Sequence, residues 1–123
     1  MIVPVIHCTN NARSVHFYTT ILDFEWIGTW PPSEEPAFTI LKRGGHELHV
    51  SSHSGDGAPG TDIAVIVDGI SDLFQKFKEN GLVIPDKKDS PVHQGPVYQS
   101  WGTIEFYVDD PDGNTIRFIE RLK

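Results

Sequence analysis

The sequence is poor in cysteine, in basic residues and in long apolar runs, and each shortage excludes a class of protein. Its one cysteine, Cys8, cannot form an intramolecular disulfide, which favours a reducing compartment such as the cytoplasm. Ten Lys and Arg against 17 Asp and Glu give a formal net charge of −7, so we expect no nucleic-acid partner. No segment approaches the roughly 18 apolar residues that span a bilayer, so we expect no membrane partner either. The opening residues lack the features of a signal peptide and are expected to form a strand.

The remaining composition is that of one globular domain. A chain of 123 residues is long enough to bury one core and too short for two ordinary ones. The acidic balance keeps such a protein soluble and would attract a cationic ligand.

The first part of the chain has the pattern of a strand, a helix and three strands. Thr9 to Ala12 supplies helix-capping residues, and apolar side chains then recur at helical spacing from Ser14 to Leu22. Alternating or continuous apolar runs on either side of this helix predict strands at 2–7, 24–30, 37–42 and 46–51.

The second part repeats this order after a Gly/Ser/Pro-rich linker at 53–60. The helix is predicted from an i, i+3, i+4, i+7 stripe that runs from Ile70 to Phe77 and ends at Asn80-Gly81. A short strand is predicted at 82–84, a loop at 85–96, and a closing hairpin in SWGTIEFYVDDPDGNTIRF at 100–118. A further strand is predicted at 62–67.

The repetition predicts an α+β fold of two βαβββ modules within a single domain, 1–52 and 61–123, joined by the 53–60 linker. Each module forms a cupped mixed sheet with one helix on its outer face. Even-numbered strand positions such as Leu48, Val50, Phe106 and Phe118 are expected to face the helices, as are Ile104, Val108 and Ile116. The odd positions then line a groove on the concave face.

Candidate ligand-binding residues are those that the alternation places in this groove, together with aromatic residues at loop–strand junctions. We predict no catalytic residue. Cys8 in particular has no evident base beside it, so we expect no thiolate catalysis, and it is expected to lie in the core. The ten predicted ligand-binding residues are Trp30, Phe38, Glu47, His49, Ser51, Tyr98, Trp101, Glu105, Tyr107 and Arg117. One alternative stays open, a metal site formed by Glu47, His49 and His53 if the strand continues past Ser51.

Four segments together resemble the vicinal oxygen chelate superfamily of glyoxalases, extradiol dioxygenases and bleomycin resistance proteins. These segments are ARSVHFYTTILDF, LKRGGHELHVS, IAVIVDGISDLFQKFKENG and WGTIEFYVDDPDGNTIRFIE, in the order that the superfamily has them. The last, with W-G-x-x-E-F before D-P-D-G-N, is typical of the bleomycin-resistance branch.

The resemblance also implies where a metal would be held, and this chain departs from that pattern. The four corresponding positions are occupied by Val3, Thr39, Asp62 and Arg117. Valine cannot ligate a divalent cation and arginine would repel one, so we expect no metal and no other cofactor.

By resemblance, we expect a metal-free homodimer that sequesters a cationic or aromatic small molecule, such as a bleomycin-type antibiotic, without altering it. Ala64 stands where some relatives have a stacking tryptophan, which leaves the ligand class open. Two alternatives remain: a metal-dependent lyase, isomerase or dioxygenase with a non-standard ligand set, and metal-free acid–base catalysis by Glu105 or His49.

Overall fold

The computed structural model describes residues 1–122, which fall into two compact units. The first unit comprises Met1–Thr61 together with Asp109–Asn114, and the second comprises Asp62–Val108 together with the chain from Thr115 onward. Within the described residues, no helix is long and apolar enough to cross a membrane.

The first unit contains a four-stranded mixed sheet and one helix. The sheet has the order β1-β4-β3-β2, with β1 parallel to β4 and the other neighbours antiparallel. Its elements are β1 (Val5–His7), α1 (Asn11–Thr20), β2 (Glu25–Trp30), β3 (Phe38–Arg43) and β4 (His46–Ser51).

Polar contacts help to hold helix α1 to this sheet. Asn10 caps it by accepting a hydrogen bond from the Arg13 backbone N–H at 2.8 Å. The fully buried Asn11 amide donates to the carbonyl oxygens of Ala37 and Val50, each at 3.1 Å. These bonds tie the start of α1 to the backbone at the end of β4 and just before β3, and they give the buried amide its acceptors.

The second unit repeats the βαβββ order. Its sheet has the order β5-β8-β7-β6, with β5 parallel to β8 and β6 antiparallel to β7. The elements are β5 (Asp62–Ile66), α2 (Ile70–Glu79), a 3-10 turn (Pro91–His93), β6 (Val97–Gln99), β7 (Thr103–Asp109) and β8 (Thr115–Arg121). The fold prediction of two βαβββ modules with mixed sheets is therefore confirmed.

Aromatic rings join α2 to its sheet. The Phe77 ring meets the rings of Phe106 and Phe118 edge to face, at centroid distances of 5.9 and 5.0 Å. The predicted alternation is confirmed in both units, because the even-numbered strand residues named above are at most 3% exposed, except Ile104, which is half-buried.

The strand predicted at 82–84 is wrong, and the strand that occupies that place in the module is β6. The Leu82 backbone N–H instead bonds to the Phe77 carbonyl at 2.9 Å and closes the end of α2 over Gly81. Val83 is 81% exposed and has no sheet to pack against. The other boundary differences are small: β1 begins at Val5, and α1 begins three residues earlier than predicted.

The D-P-D-G-N turn belongs structurally to the first unit. Asp110 accepts hydrogen bonds from the backbone N–H groups of Asp112 and Asn114 and, at 2.7 Å, from the Tyr18 hydroxyl. The Asp112 carboxylate accepts from the backbone and hydroxyl of Thr9. The motif thus fixes its own turn and ties it to α1 and the end of β1.

Candidate functional site

The most organised polar group of the second unit is centred on the Glu105 carboxylate. One oxygen, Oε2, accepts hydrogen bonds from the Trp101 indole N–H at 2.9 Å and the Thr103 hydroxyl at 2.5 Å. The other, Oε1, accepts from the Tyr107 hydroxyl at 3.1 Å. Glu105 is only 3% exposed, whereas Trp101 is 66% exposed. A buried carboxylate therefore holds an exposed indole ring in place.

This carboxylate is kept ionised by its surroundings. Desolvation alone would raise the pKa of Glu105, but the hydrogen bonds from Thr103, Trp101 and Tyr107 and the charge of Arg117 outweigh it and lower the pKa. The pKa of Tyr107 moves the other way, raised by desolvation and by its bond to Glu105. Near neutral pH the pair is thus a carboxylate accepting from a neutral phenol.

Arg117 completes this group, which we call the Glu105 cluster: Trp101, Thr103, Glu105, Tyr107 and Arg117. Its guanidinium carbon lies 4.9 Å from the centroid of the Tyr107 ring, and its Nη2 donates to Asp62 Oδ2 at 2.8 Å. The ion pair is about half exposed on both sides, so it fixes the orientation of the guanidinium more than it adds stability.

Tyr98 does not join the cluster. It lies opposite Ile104 in the β6–β7 register, whereas Val97 and Gln99 lie opposite Glu105 and Thr103. Directly paired residues point to the same face of a sheet, so Tyr98 projects from the face opposite to the cluster. Its ring is 73% exposed there.

In the first unit, four predicted residues come together on the sheet face away from α1; we call them the His49 face. His49 Nε2 lies 2.7 Å from Glu47 Oε2, and the Phe38 ring meets the imidazole edge to face at a centroid distance of 4.9 Å. Trp30 stands beside Phe38, with centroids 6.4 Å apart, and is 53% exposed. The face therefore combines two aromatic rings with a carboxylate–imidazole pair.

Ser51 shares this face by register, but its hydroxyl is already engaged. It is fully buried and donates to Asp56 Oδ2 at 2.8 Å, while the backbone N–H of His53 bonds to the same hydroxyl oxygen. Ser51 therefore anchors the 52–56 turn.

The residues at the metal positions implied by the resemblance do not fit a metal. Thr39 is fully buried on the side of α1, where its hydroxyl bonds to Asn11 and Thr29. Asp62 is paired with Arg117, whose positive charge takes the place of a ligand. Within residues 1–122, no three His, Cys, Asp or Glu side chains are grouped so as to hold a metal ion, so His53 does not complete a site with Glu47 and His49.

Sequence reasoning missed two residues that shape these surfaces. Thr103 makes the shortest of the bonds to Glu105, and alternation along β7 could have found it, because Thr103 begins that strand two residues before Glu105. Gly28 leaves room for the Trp30 ring, because a Cβ atom at Gly28 would lie 2.5 Å from Trp30 Cη2. The expectation for Cys8 is confirmed: it is fully buried, and desolvation raises the pKa of its thiol to about 11.

Two mixed βαβββ modules, with the W-G-x-x-E-F strand built around a buried glutamate, define the class of protein. A family model described as glyoxalase superfamily protein matches residues 1–123, and the chain belongs to that family. The resemblance to the vicinal oxygen chelate superfamily is thereby confirmed.

Among curated proteins, the chain is similar to the bleomycin resistance protein of Geobacillus stearothermophilus. The two are 24% identical over 141 aligned positions, which cover 98% of this chain and 96% of the relative. A solved bleomycin-binding protein in complex with bleomycin has a TM-score of 0.75 at 21% identity, with 98% of each chain covered. TioX from Micromonospora sp. ML1 gives 0.76 at 18% identity, also with 98% of each chain covered. The solved structures establish a shared fold.

Proposed function

We propose that this protein binds and sequesters a cationic, partly aromatic antibiotic-like molecule without altering it. The observation that carries the proposal is the exposed Trp101 ring held by the buried Glu105 carboxylate. A planar ligand group stacks best on a ring whose orientation is already fixed, because little conformational entropy is then lost on binding. The curated relative that spans nearly the whole chain is a bleomycin resistance protein, which supports this class of ligand.

Charge supports a cationic ligand. The Glu105 cluster and its partner Asp62 hold two carboxylates against the single guanidinium of Arg117. The whole chain carries a formal charge of −7, so a cation would be attracted over a distance and then meet aromatic faces at short range.

The proposed ligand-contacting residues of the second unit are the cluster members Trp101, Tyr107 and Arg117. In the first unit, taken by itself, the candidate contacts are those of the His49 face, formed by Trp30, Phe38, Glu47 and His49. Glu105 acts in the proposal as a positioning residue for Trp101. Tyr98 and Ser51 are left out, since the first projects from the other face of its sheet and the second is buried against Asp56. A homodimer located in the cytoplasm and working without a metal is part of the same proposal.

Isothermal titration with bleomycin tests the proposal directly. We expect saturable binding with a dissociation constant in the micromolar range or tighter. Trp101→Ala should weaken it by about five- to thirtyfold, because one stacked ring contributes about 1 to 2 kcal/mol. Tyr98→Ala is the matched control, since it removes an equally exposed ring from the opposite face and should leave the affinity unchanged.

Two results would count against the proposal. No heat of binding with bleomycin would remove that drug as the ligand, and an equal loss in both variants would remove the Glu105 cluster as the site. Metal analysis of protein purified without chelators addresses the alternative of a metal-dependent enzyme, for which stoichiometric Zn, Ni, Mn or Fe is expected.

A further inference from the structure

A separate cleft lies in the first unit between α1 and β2, on the side of the sheet opposite to the His49 face. The helix contributes Ala12 and Val15, the strand contributes Trp26 and Thr29, and the loop after β2 contributes Glu34 and Glu35. Its volume is about 470 Å³, within the range of pockets that hold small molecules. None of these residues belongs to the site proposed above.

The strand wall of this α1–β2 cleft is a tryptophan with a fixed orientation. The Trp26 indole N–H donates to the Thr29 hydroxyl at 2.9 Å. That hydroxyl bonds to Thr39 at 2.7 Å, and Thr39 in turn donates to the buried Asn11 amide oxygen. The polar edge of the ring is thus tied into the core of the unit. Trp26 remains 55% exposed, so part of the ring is free to meet a ligand.

The described side chains that line the cleft carry negative charge without a cationic side chain among them. Glu34 and Glu35 both line it, and the described residues of its wall include no Lys, Arg or His. Glu35 Oε1 accepts the backbone N–H of Asn11 at 2.8 Å, so this donor at the start of α1 is already taken. An anion would therefore meet two carboxylates and find the Asn11 N–H occupied, whereas a cation would meet the carboxylates and an indole face.

We propose that the α1–β2 cleft binds a small organic cation, an ammonium group on a short aliphatic body. The ammonium group lies against the Trp26 ring and within reach of the loop carboxylates, and the aliphatic part packs on Ala12 and Val15. This site takes a smaller ligand than the one proposed for the Glu105 cluster, and neither proposal depends on the other.

Choline and its neutral isostere 3,3-dimethyl-1-butanol are the probes, with the indole N–H signals of the three tryptophans followed by ¹H–¹⁵N NMR. We expect choline to shift the Trp26 signal saturably in the low millimolar range while the neutral alcohol does not.

The Trp26 signal is assigned by its loss in Trp26→Leu, and circular dichroism confirms that this variant folds. In that variant, choline binding followed by calorimetry should weaken about three- to tenfold, because the leucine keeps an apolar wall without the π face.

Glu34→Gln keeps the tryptophan and removes one exposed charge from the cleft. It should weaken choline binding about two- to fivefold, as expected for an exposed charge pair. The matched control is Glu25→Gln, which removes the same charge from an exposed position at the start of β2, outside the cleft, and should leave binding unchanged. Three results would each overturn the proposal: binding of the neutral alcohol as tight as that of choline, equal effects of the two glutamine variants, or a choline-induced shift confined to the Trp101 signal. The last result would place the cation at the Glu105 cluster instead.

Discussion

Replacing Glu105 with glutamine tests whether the Glu105 cluster is built as described. The change keeps the shape of the side chain and removes the charge on which three hydrogen bonds converge. A charged acceptor makes each bond about 1 kcal/mol stronger than a neutral one, or about 3 kcal/mol for the three. Glutamine also removes the cost of burying a charge. This gain of about 1 to 2 kcal/mol offsets part of the loss from the weaker hydrogen bonds. We therefore expect Glu105→Gln to lower the free energy of unfolding by about 1 to 2 kcal/mol at pH 7.

The effect should depend on pH in a defined direction. The pKa of Glu105 is lowered in the folded protein, so its charge stabilises the fold fully at pH values above the ordinary value of 4.5. That contribution is lost as the pH falls through the lowered pKa. The stability difference between the native protein and Glu105→Gln should hence be constant near neutral pH and shrink in acid.

Urea unfolding followed by far-UV circular dichroism, repeated from pH 7 to pH 3, measures both effects. Glu79→Gln is the control, because this residue at the end of α2 is exposed and its contact with Gln75 is a long one, at 3.5 Å. Acrylamide quenching of tryptophan fluorescence should also increase in Glu105→Gln as the indole of Trp101 is released. A variant as stable as the native protein at pH 7, or a difference that persists unchanged in acid, would refute the description of the cluster.

Two further substitutions test other parts of the structure. Asp110→Ala leaves the Tyr18 hydroxyl and two backbone N–H groups of the D-P-D-G-N turn without their acceptor, so we expect a loss of about 3 kcal/mol in urea unfolding. The exposed Asp89→Ala should cost almost nothing, and similar losses in both would contradict the role of the turn. Gly28→Ala should displace the Trp30 ring and change its fluorescence emission while costing less than about 1 kcal/mol, since the ring can swing into solvent. An unchanged emission spectrum would show that the ring does not cover Gly28.

Most of the fold could be predicted from the sequence, because the residue patterns that indicate each helix or strand lie within that element. The stripe of Ile70, Leu73 and Phe77 is buried in α2 as its spacing required, and Gly81 ends that helix. The same local reasoning failed at 82–84, where three apolar residues looked like a strand. Whether such a run pairs depends on a neighbouring strand, and here Leu82 is used to close the helix.

The candidate site was predicted less completely, for a similar reason. Alternation along β7 correctly placed Glu105 and Tyr107 on one face, because alternation is a property of the strand itself. The face that Tyr98 occupies depends on how β6 pairs with β7, and the sequence alone does not determine that register. The bond between Trp101 and Glu105 depends on the turn at Gly102, whose φ of +88° allows the chain to reverse there.

The D-P-D-G-N turn has a consequence for the biosynthesis of the chain. Tyr18 and Thr9 are translated early, but their partners Asp110 and Asp112 lie about 50 residues beyond Thr61, the end of the first continuous segment of that unit. At about 5 to 20 residues per second, a ribosome needs roughly 3 to 10 s to synthesise that stretch. During this interval the residues of the helix and strands of the first unit have been synthesised, but the carboxylates that bond to α1 and Thr9 have not. A chaperone that recognises incomplete folds would therefore have its longest access to this protein before the last hairpin has been made.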